Sequence, residues 1–343
     1  MPAAADHTVA SVLVTTSAPG IRRRSLLSAG IGTGIAGLLV ACGSVSAQTS
    51  ADSHSVRTVE APDPDVPVRA RALAATRALA VRYDATIAAF PAAAGQLRPL
   101  REQLAAQESA FGGATASASA SGSPSASTSP TPPSVPATSR SAAVTALDAA
   151  ERATAQARLK DLETASPALA RQLASAAADG AQHSMLLRGS VPAGPAAAPV
   201  TRTALPAAAL AALQAALAAE DAAVYAYGVI GAQLGGDRRT RATSSYQAHR
   251  DRRDALQQRI GATGATPVAA APAYRLPSPV TDAASAVRLA GSVEDRICAV
   301  YANAVQATSG PLRGTMAAAL RQAALDTLAW RGSGSAFPGL AHG

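Results

Sequence analysis

Aromatic residues are scarce in this chain: 3% of 343 residues, with one Trp and three Phe. That scarcity, and the lack of any alternation of Val, Ile, Thr and Tyr, argues against a strand-built core. Cysteine is almost missing. The two present, Cys42 and Cys298, make no disulfide framework, and Cys298 reads as a small buried apolar residue. Lysine occurs once, as Lys160, so the net charge of +8 rests on arginine. Those arginines are interleaved with acids and form no run of five. No phosphate loop, zinc-finger spacing, Ser-His-Asp set or Cys-His set stands out. Nucleic acid is therefore not an expected partner. A mildly basic surface facing solvent, anionic lipid or anionic cell-wall polymer is.

What the chain has in abundance is alanine, set with leucine and arginine at helical spacing, which predicts an all-α protein. Its start reads as an export signal. Arg22, Arg23 and Arg24 precede Ser25-Leu26-Leu27, with Arg23 and Arg24 as the twin-arginine pair, and a Gly-rich apolar run follows to Val40. That run is short for a spanning helix. Leu39-Val40-Ala41-Cys42-Gly43 resembles a bacterial lipobox, which implies cleavage before Cys42 and a lipid on its sulfur. Residues 1–41 are then a signal and 42–67 a flexible tether. The mature protein is expected on the outer face of the cytoplasmic membrane, anchored in the cell envelope.

Apolar periodicity predicts helices over 68–90, 92–111, 142–164 and 166–187, with Gly112-Gly113 ending the second. Residues 112–140 form a Ser/Ala/Pro-rich loop expected to be disordered. A Gly/Pro linker, 189–204, separates them from four more helices at 205–234, 237–260, 283–308 and 312–331. A tail carrying Phe337-Pro338-Gly339-Leu340 is expected to pack back as an apolar plug. The halves, 68–188 and 205–343, thus repeat one plan. In each, the first two helices and the last two join tightly, while the second and third are joined by a long connection. That is the topology of a ferritin-like four-helix bundle. A single eight-helix domain with a shared core is the alternative.

Each predicted helix seam carries a polar residue. In the second half these are Glu220, His249, Glu294 and Asp326; in the first, Asp84, Gln107, Glu151 and His183. A buried carboxylate is costly without a partner, and carboxylates on two helices with histidines on the others is how di-iron bundles hold their metals. The second half also carries Ala-Ala-Glu220-Asp221 with Tyr225 and Tyr227-Gly228, and His249-Arg250 with Arg252-Arg253-Asp254. Leu276-Pro277 with Pro279-Val280, and Trp330-Arg331-Gly332 ahead of the Phe337 tail, complete the set. Over about 205–340 it resembles the actinobacterial ferritin-like domain of unknown function. The resemblance implies a four-helix bundle on an exported protein and supplies no reaction.

The ligand set is incomplete, because Tyr246 and Gly180 stand where a di-iron motif would place glutamates before His249 and His183. Two readings of the second half follow. Glu220, His249, Glu294 and Asp326 hold a single zinc, manganese or iron ion. Alternatively they form a relic network in which His249 or Arg253 neutralises the glutamates. The first-half set is the degenerate equivalent. Tyr225, Tyr227, Tyr246 and Tyr301 read as core rings with satisfied hydroxyls, and Arg250, Arg252 and Asp254 as a solvated helix face. The expectation is a non-catalytic, membrane-anchored envelope lipoprotein. Its alternatives are a metal-binding protein or oxidoreductase using the C-terminal bundle, and a binder of a small apolar ligand between helices.

Overall fold

The structure, a computed structural model, describes residues 63–116 and 139–341, without the side chains of 113–116. The twin-arginine pair Arg23 and Arg24, the lipidation residue Cys42, nearly all of the tether and residues 117–138 of the Ser/Pro loop lie outside them. Contacts divide the chain into Met1–Val59, also outside the described residues, and Glu60–Gly343, which is one compact unit. Among the described residues there are eight α-helices and no strand.

The helices are α1 (Asp65–Ala89), α2 (Ala94–Ala116, entered through a 3-10 turn at Pro91–Ala93), α3 (Arg140–Asp161) and α4 (Pro167–Arg188), then α5 (Ala207–Ala232), α6 (Gly236–Ala262), α7 (Ala283–Ala307) and α8 (Gly310–Arg331). Their ends follow local chemistry. Ser166 caps α4 by accepting from the Leu169 amide at 3.3 Å, with Pro167 in the first turn. Asp282 and Ser285 form a reciprocal capping box on α7. Gly189 and Gly332, at φ 72° and 76°, close α4 and α8 in the left-handed conformation. One expected stop fails: α2 runs past Gly112-Gly113 to Ala116. A helical glycine costs about 1 kcal/mol, and the neighbouring Phe111, fully buried in the core, offsets it.

Within the first half α1 packs on α2 and α3, and α3 on α4; within the second α5 packs on α6 and α7, and α7 on α8. Between the halves α4 packs on both α7 and α8. Every residue of α4 from Leu173 to Ser184 is buried. The run is rich in Ala, Ser and Gly, which lets three neighbours approach one helix closely. One apolar core consequently crosses the boundary drawn at 189–204, joining Leu73, Phe111 and Leu173 to Leu217, Val305 and Leu320.

The connecting segments are fastened to this core. Arg321 on α8 donates to the Pro192 carbonyl at 2.6 Å, Arg259 to the Ala198 carbonyl at 2.6 Å, and the Ala198 amide to Thr315 Oγ1 at 3.0 Å. The C-terminal tail returns onto the first half. Ser175 Oγ donates to the Pro338 carbonyl at 2.8 Å, Gln107 Nε2 to the Ala336 carbonyl at 3.1 Å, and the Phe337 ring meets Phe111 edge-on.

Candidate functional site

In the second half three of the four seam residues come together. Glu220 on α5, His249 on α6 and Glu294 on α7 are each 0% exposed. His249 Nδ1 lies 2.6 Å from Glu220 Oε2, and its Nε2 lies 3.1 Å from Glu294 Oε1. The imidazole thus bridges two carboxylates. Tyr301 donates to Glu220 Oε1 at 2.6 Å, and Tyr227 donates to Glu294 Oε1.

Arg252, expected on a solvated face, is the correction of most consequence. One turn beyond His249 on α6, it reaches inward so that its Nε donates to Glu220 Oε1 at 2.8 Å. Arg253, the arginine expected to neutralise the glutamates, pairs with its exposed neighbour Asp254 at 2.7 Å. Asp326 is near the network without joining it. Half-buried on α8, it accepts from Gln322 at 3.1 Å and lines a 250 Å³ cavity between α6 and α8.

The charges compensate one another. Burial alone would lower the His249 pKa; hydrogen bonds to Glu220 and Glu294 reverse that and raise it to about 9. Burial would raise Glu220, yet His249 and Arg252 hold it below the usual carboxylate range. Arg252 is held above its ordinary value, because the neighbouring Glu220 outweighs its burial. Asp326 is pushed up to about 7 by burial and then by Glu294. Tyr227 and Tyr301 are raised by burial and by the carboxylates they bond. At neutral pH two cations, imidazolium and guanidinium, face two glutamates inside the bundle, with Arg252 Nη2 only 2.8 Å from His249 Nδ1, so Glu220 screens two cations held side by side.

The first half holds a parallel arrangement with a different membership. Glu151, His183 and Gln107 are buried, but Asp84 is not: its side chain is 56% exposed and pairs with Arg101 at 3.1 Å. Helix α1 turns its neighbour Tyr83 inward instead. Tyr83 donates to Glu151 Oε1 at 2.8 Å, and His183 Nδ1 lies 2.6 Å from the same oxygen. The other ring nitrogen of His183 lies 2.8 Å from Gln103 Oε1 and 3.3 Å from Asp179 Oδ1. Gln107 Nε2 donates to Asp179 Oδ2 at 2.7 Å and its Oε1 accepts from Arg158 at 2.7 Å. Burial opposes protonation of His183, but Asp179 and Glu151 raise it to about 9; burial, opposed by His183, pushes Asp179 up to about 7. Arg158 lies on the predicted seam of its helix, but Asp179 has no place in the sequence reading, although it stands one turn before His183 on the same helix face.

The tyrosines divide. Tyr227 and Tyr301 are core rings with bonded hydroxyls, whereas Tyr225 is 38% exposed and meets the Tyr274 ring at a tilt, and Tyr246 is half-buried beneath the Arg250 guanidinium.

A metal ion fits this donor set poorly. It would need lone pairs from His249 and Glu220, yet both ring nitrogens of His249 face carboxylates and both oxygens of Glu220 accept from protein donors. The Arg252 guanidinium already stands where added positive charge would be required. Glu294 Oε2 is the buried oxygen of this set left without a partner. Among the described residues no group of three His, Cys, Asp or Glu side chains is placed to hold a metal ion.

Comparison with known proteins finds one domain, over part of the chain. Residues 212–342 match the domain of unknown function DUF4439. The crystal structure of a conserved hypothetical protein from Mycobacterium tuberculosis is 33% identical over 36% of this chain and 88% of that chain, with a TM-score of 0.35. No curated protein matches the chain.

Proposed function

Because residues 212–342 match the domain of unknown function DUF4439, we propose that the chain is an exported, lipid-anchored protein of ferritin-like descent. Its two groups of four helices keep the bundle and replace the metals with an internal ionic network, and its role in the envelope is non-catalytic. The observation that carries this reading is the double engagement of His249. An imidazolium between Glu220 and Glu294, with Arg252 on the outer oxygen of Glu220, supplies the positive charge a cation would otherwise supply. The address rests on Arg23, Arg24 and the sequence around Cys42.

Two measurements test it. Elemental analysis of protein purified from its own envelope is expected to find far less than one equivalent of iron, manganese or zinc. Near one equivalent, lost in both Glu220→Ala and His249→Ala, would overturn the reading. Fractionation is expected to place the chain with membranes and Cys42→Ala in the soluble fraction; an unlipidated wild type would remove the anchor.

A second reading has one observation in its favour. Glu294 Oε2 is open, and the Glu294 charge contributes to the raised pKa of Asp326. A single cation drawn toward Glu294 and Asp326 would use both groups. Elemental analysis of Asp326→Asn beside the wild type decides it, because that metal would depend on Asp326.

A further inference from the structure

We infer that the slot between α5, α7 and the α6–α7 connection binds a single-chain anionic amphiphile, of which a medium-chain carboxylate is the simplest example. Its volume is 190 Å³. The floor is α5, where Ala219, Ala222, Ala223 and Ala226 recur at helical spacing and leave open the space that larger side chains would fill. Leu289, Val293 and Ile297 of α7 make the facing wall. An engineered apolar cavity of roughly 150 Å³ takes up benzene, so this one has room for a short alkyl chain.

The cover is fastened rather than loose. Leu276 packs into the same apolar cluster as Leu289. The Tyr274 ring lies 5.6 Å from the Tyr225 ring, and its hydroxyl accepts from the Ala271 amide at 3.0 Å. That tilted ring contact gives the exposed Tyr225 a partner on the connection.

Charge at the rim selects the head group. Arg275 on the connection and Arg296 on α7 both line the slot and are exposed, and neither has a hydrogen-bond or carboxylate partner among the described residues. Arg252, Arg253, Arg101 and Arg331 all have carboxylate partners. Two free guanidiniums beside an apolar slot match a chain ending in a carboxylate, which their planar donors recognise well. The sequence-level expectation had an apolar ligand in the space vacated by metals. That space is filled by the His249 network, and the slot shares no lining residue with it. The two readings therefore stand or fall separately.

Isothermal titration of the full chain with octanoate, octanol and octylammonium tests the assignment. Octanoate is expected to saturate at one site and to bind at least tenfold tighter than octylammonium. Ala222→Leu fills the slot and should abolish binding while melting as the wild type does. Arg275→Gln with Arg296→Gln should weaken octanoate at least tenfold and leave octanol unchanged. Failure of octanoate to saturate, or binding undiminished in Ala222→Leu, would overturn the site. Equal octanoate affinity in the double arginine variant would overturn the anionic head group.

Discussion

Arg158 on α3 and Tyr301 on α7 occupy matching places in the two halves: each lies two helical turns after the buried glutamate of its helix, Glu151 or Glu294. Each also reaches the helix that opens its half. Arg158 donates to Thr76 on α1 at 2.8 Å, and Tyr301 to Glu220 on α5 at 2.6 Å. Two turns beyond those contacts, Tyr83 and Tyr227 donate to Glu151 and Glu294. The same scaffold is wired twice with different charges. Where α5 contributes an acid, the partner on α7 is neutral and the cation comes from α6. Where α1 contributes a threonine, the cation sits on α3 itself.

Arg158 is 2% exposed and also bonds the Ala176 carbonyl at 2.9 Å and Gln107 at 2.7 Å. Burial lowers its pKa, but the neighbouring Glu151 and Asp179 resist that. Arg158→Met removes the cation and strands a carbonyl and an amide oxygen. A loss of about 3–5 kcal/mol is expected in denaturant unfolding; a loss under 1 kcal/mol would mean that Arg158 is replaceable by apolar volume.

Glu220 receives three donors, so its removal should be felt through the partners it leaves. Glu220→Ala buries an unpaired guanidinium and an imidazolium short of one carboxylate, and should cost about 3–5 kcal/mol. Replacing Glu220 and Arg252 together by Gln and Met removes the ion pair as a unit. It should cost less than Glu220→Ala alone. Chemical denaturation of the single and double variants checks the order.

Stability should fall as pH rises through neutrality. His249 and His183 each titrate at about 9 in the fold against 6.5 as the reference. A raised pKa means the stabilisation is complete below pH 6.5 and gone once pH has risen past 9. Each histidine carries at most about 3 kcal/mol of this. Asp179 and Asp326, raised from 3.8 to about 7, add to the decline at lower pH, since their protonated forms are the favoured ones in the fold. Melting temperatures from pH 6 to pH 9.5 should drop steadily, and His249→Gln should show a shallower slope. A flat wild-type profile would contradict the imidazolium assignment.

Helical periodicity carried the eight helices and brought Glu220, His249 and Glu294 to one place, because an amphipathic seam fixes which side chains face inward. It failed at Asp84 by one position. On α1 the inward residue is Tyr83, an amphipathic ring that satisfies burial and hydrogen bonding together, so a seam drawn through the charged residue looked equally good. Arg252 was misplaced for a related reason. A long side chain on the flank of a helix can turn inward when a carboxylate lies within its reach, and spacing does not record reach. The shared core stood only as the alternative to two separate bundles, because small residues on every side of α4 do not distinguish an all-round buried helix from a weakly amphipathic one.

That one-position difference on α1 is itself testable. Tyr83→Phe deletes the donor to Glu151 in a fully buried setting and should cost about 1–3 kcal/mol. Asp84→Ala removes an exposed pair with Arg101 and should lie within about 1 kcal/mol of the wild type. Equal effects in urea unfolding would mean that the α1 phase is wrong.

The C-terminal tail is held where only glycine fits. Gly339 has φ 78°, a region that L side chains rarely adopt, and a Cβ there would press into the backbone carbonyl of Cys298 on α7. The carbonyl belongs to a helix and cannot swing aside, so Gly339→Ala must lift the segment off α7. With it go the Pro338 bond to Ser175, the Ala336 bond to Gln107 and the Phe337 contact with Phe111. Gln107 also holds Asp179 and Arg158, so the disturbance should reach the first-half network. Limited proteolysis should cut the variant after Arg331 far faster than the wild type, and its stability should fall by about 2 kcal/mol or more. Truncation at residue 332 should reproduce that stability loss, because in both proteins the tail no longer covers α2, α4 and α7. If Gly339→Ala resists protease as the wild type does, the tail is not the clasp between the two halves.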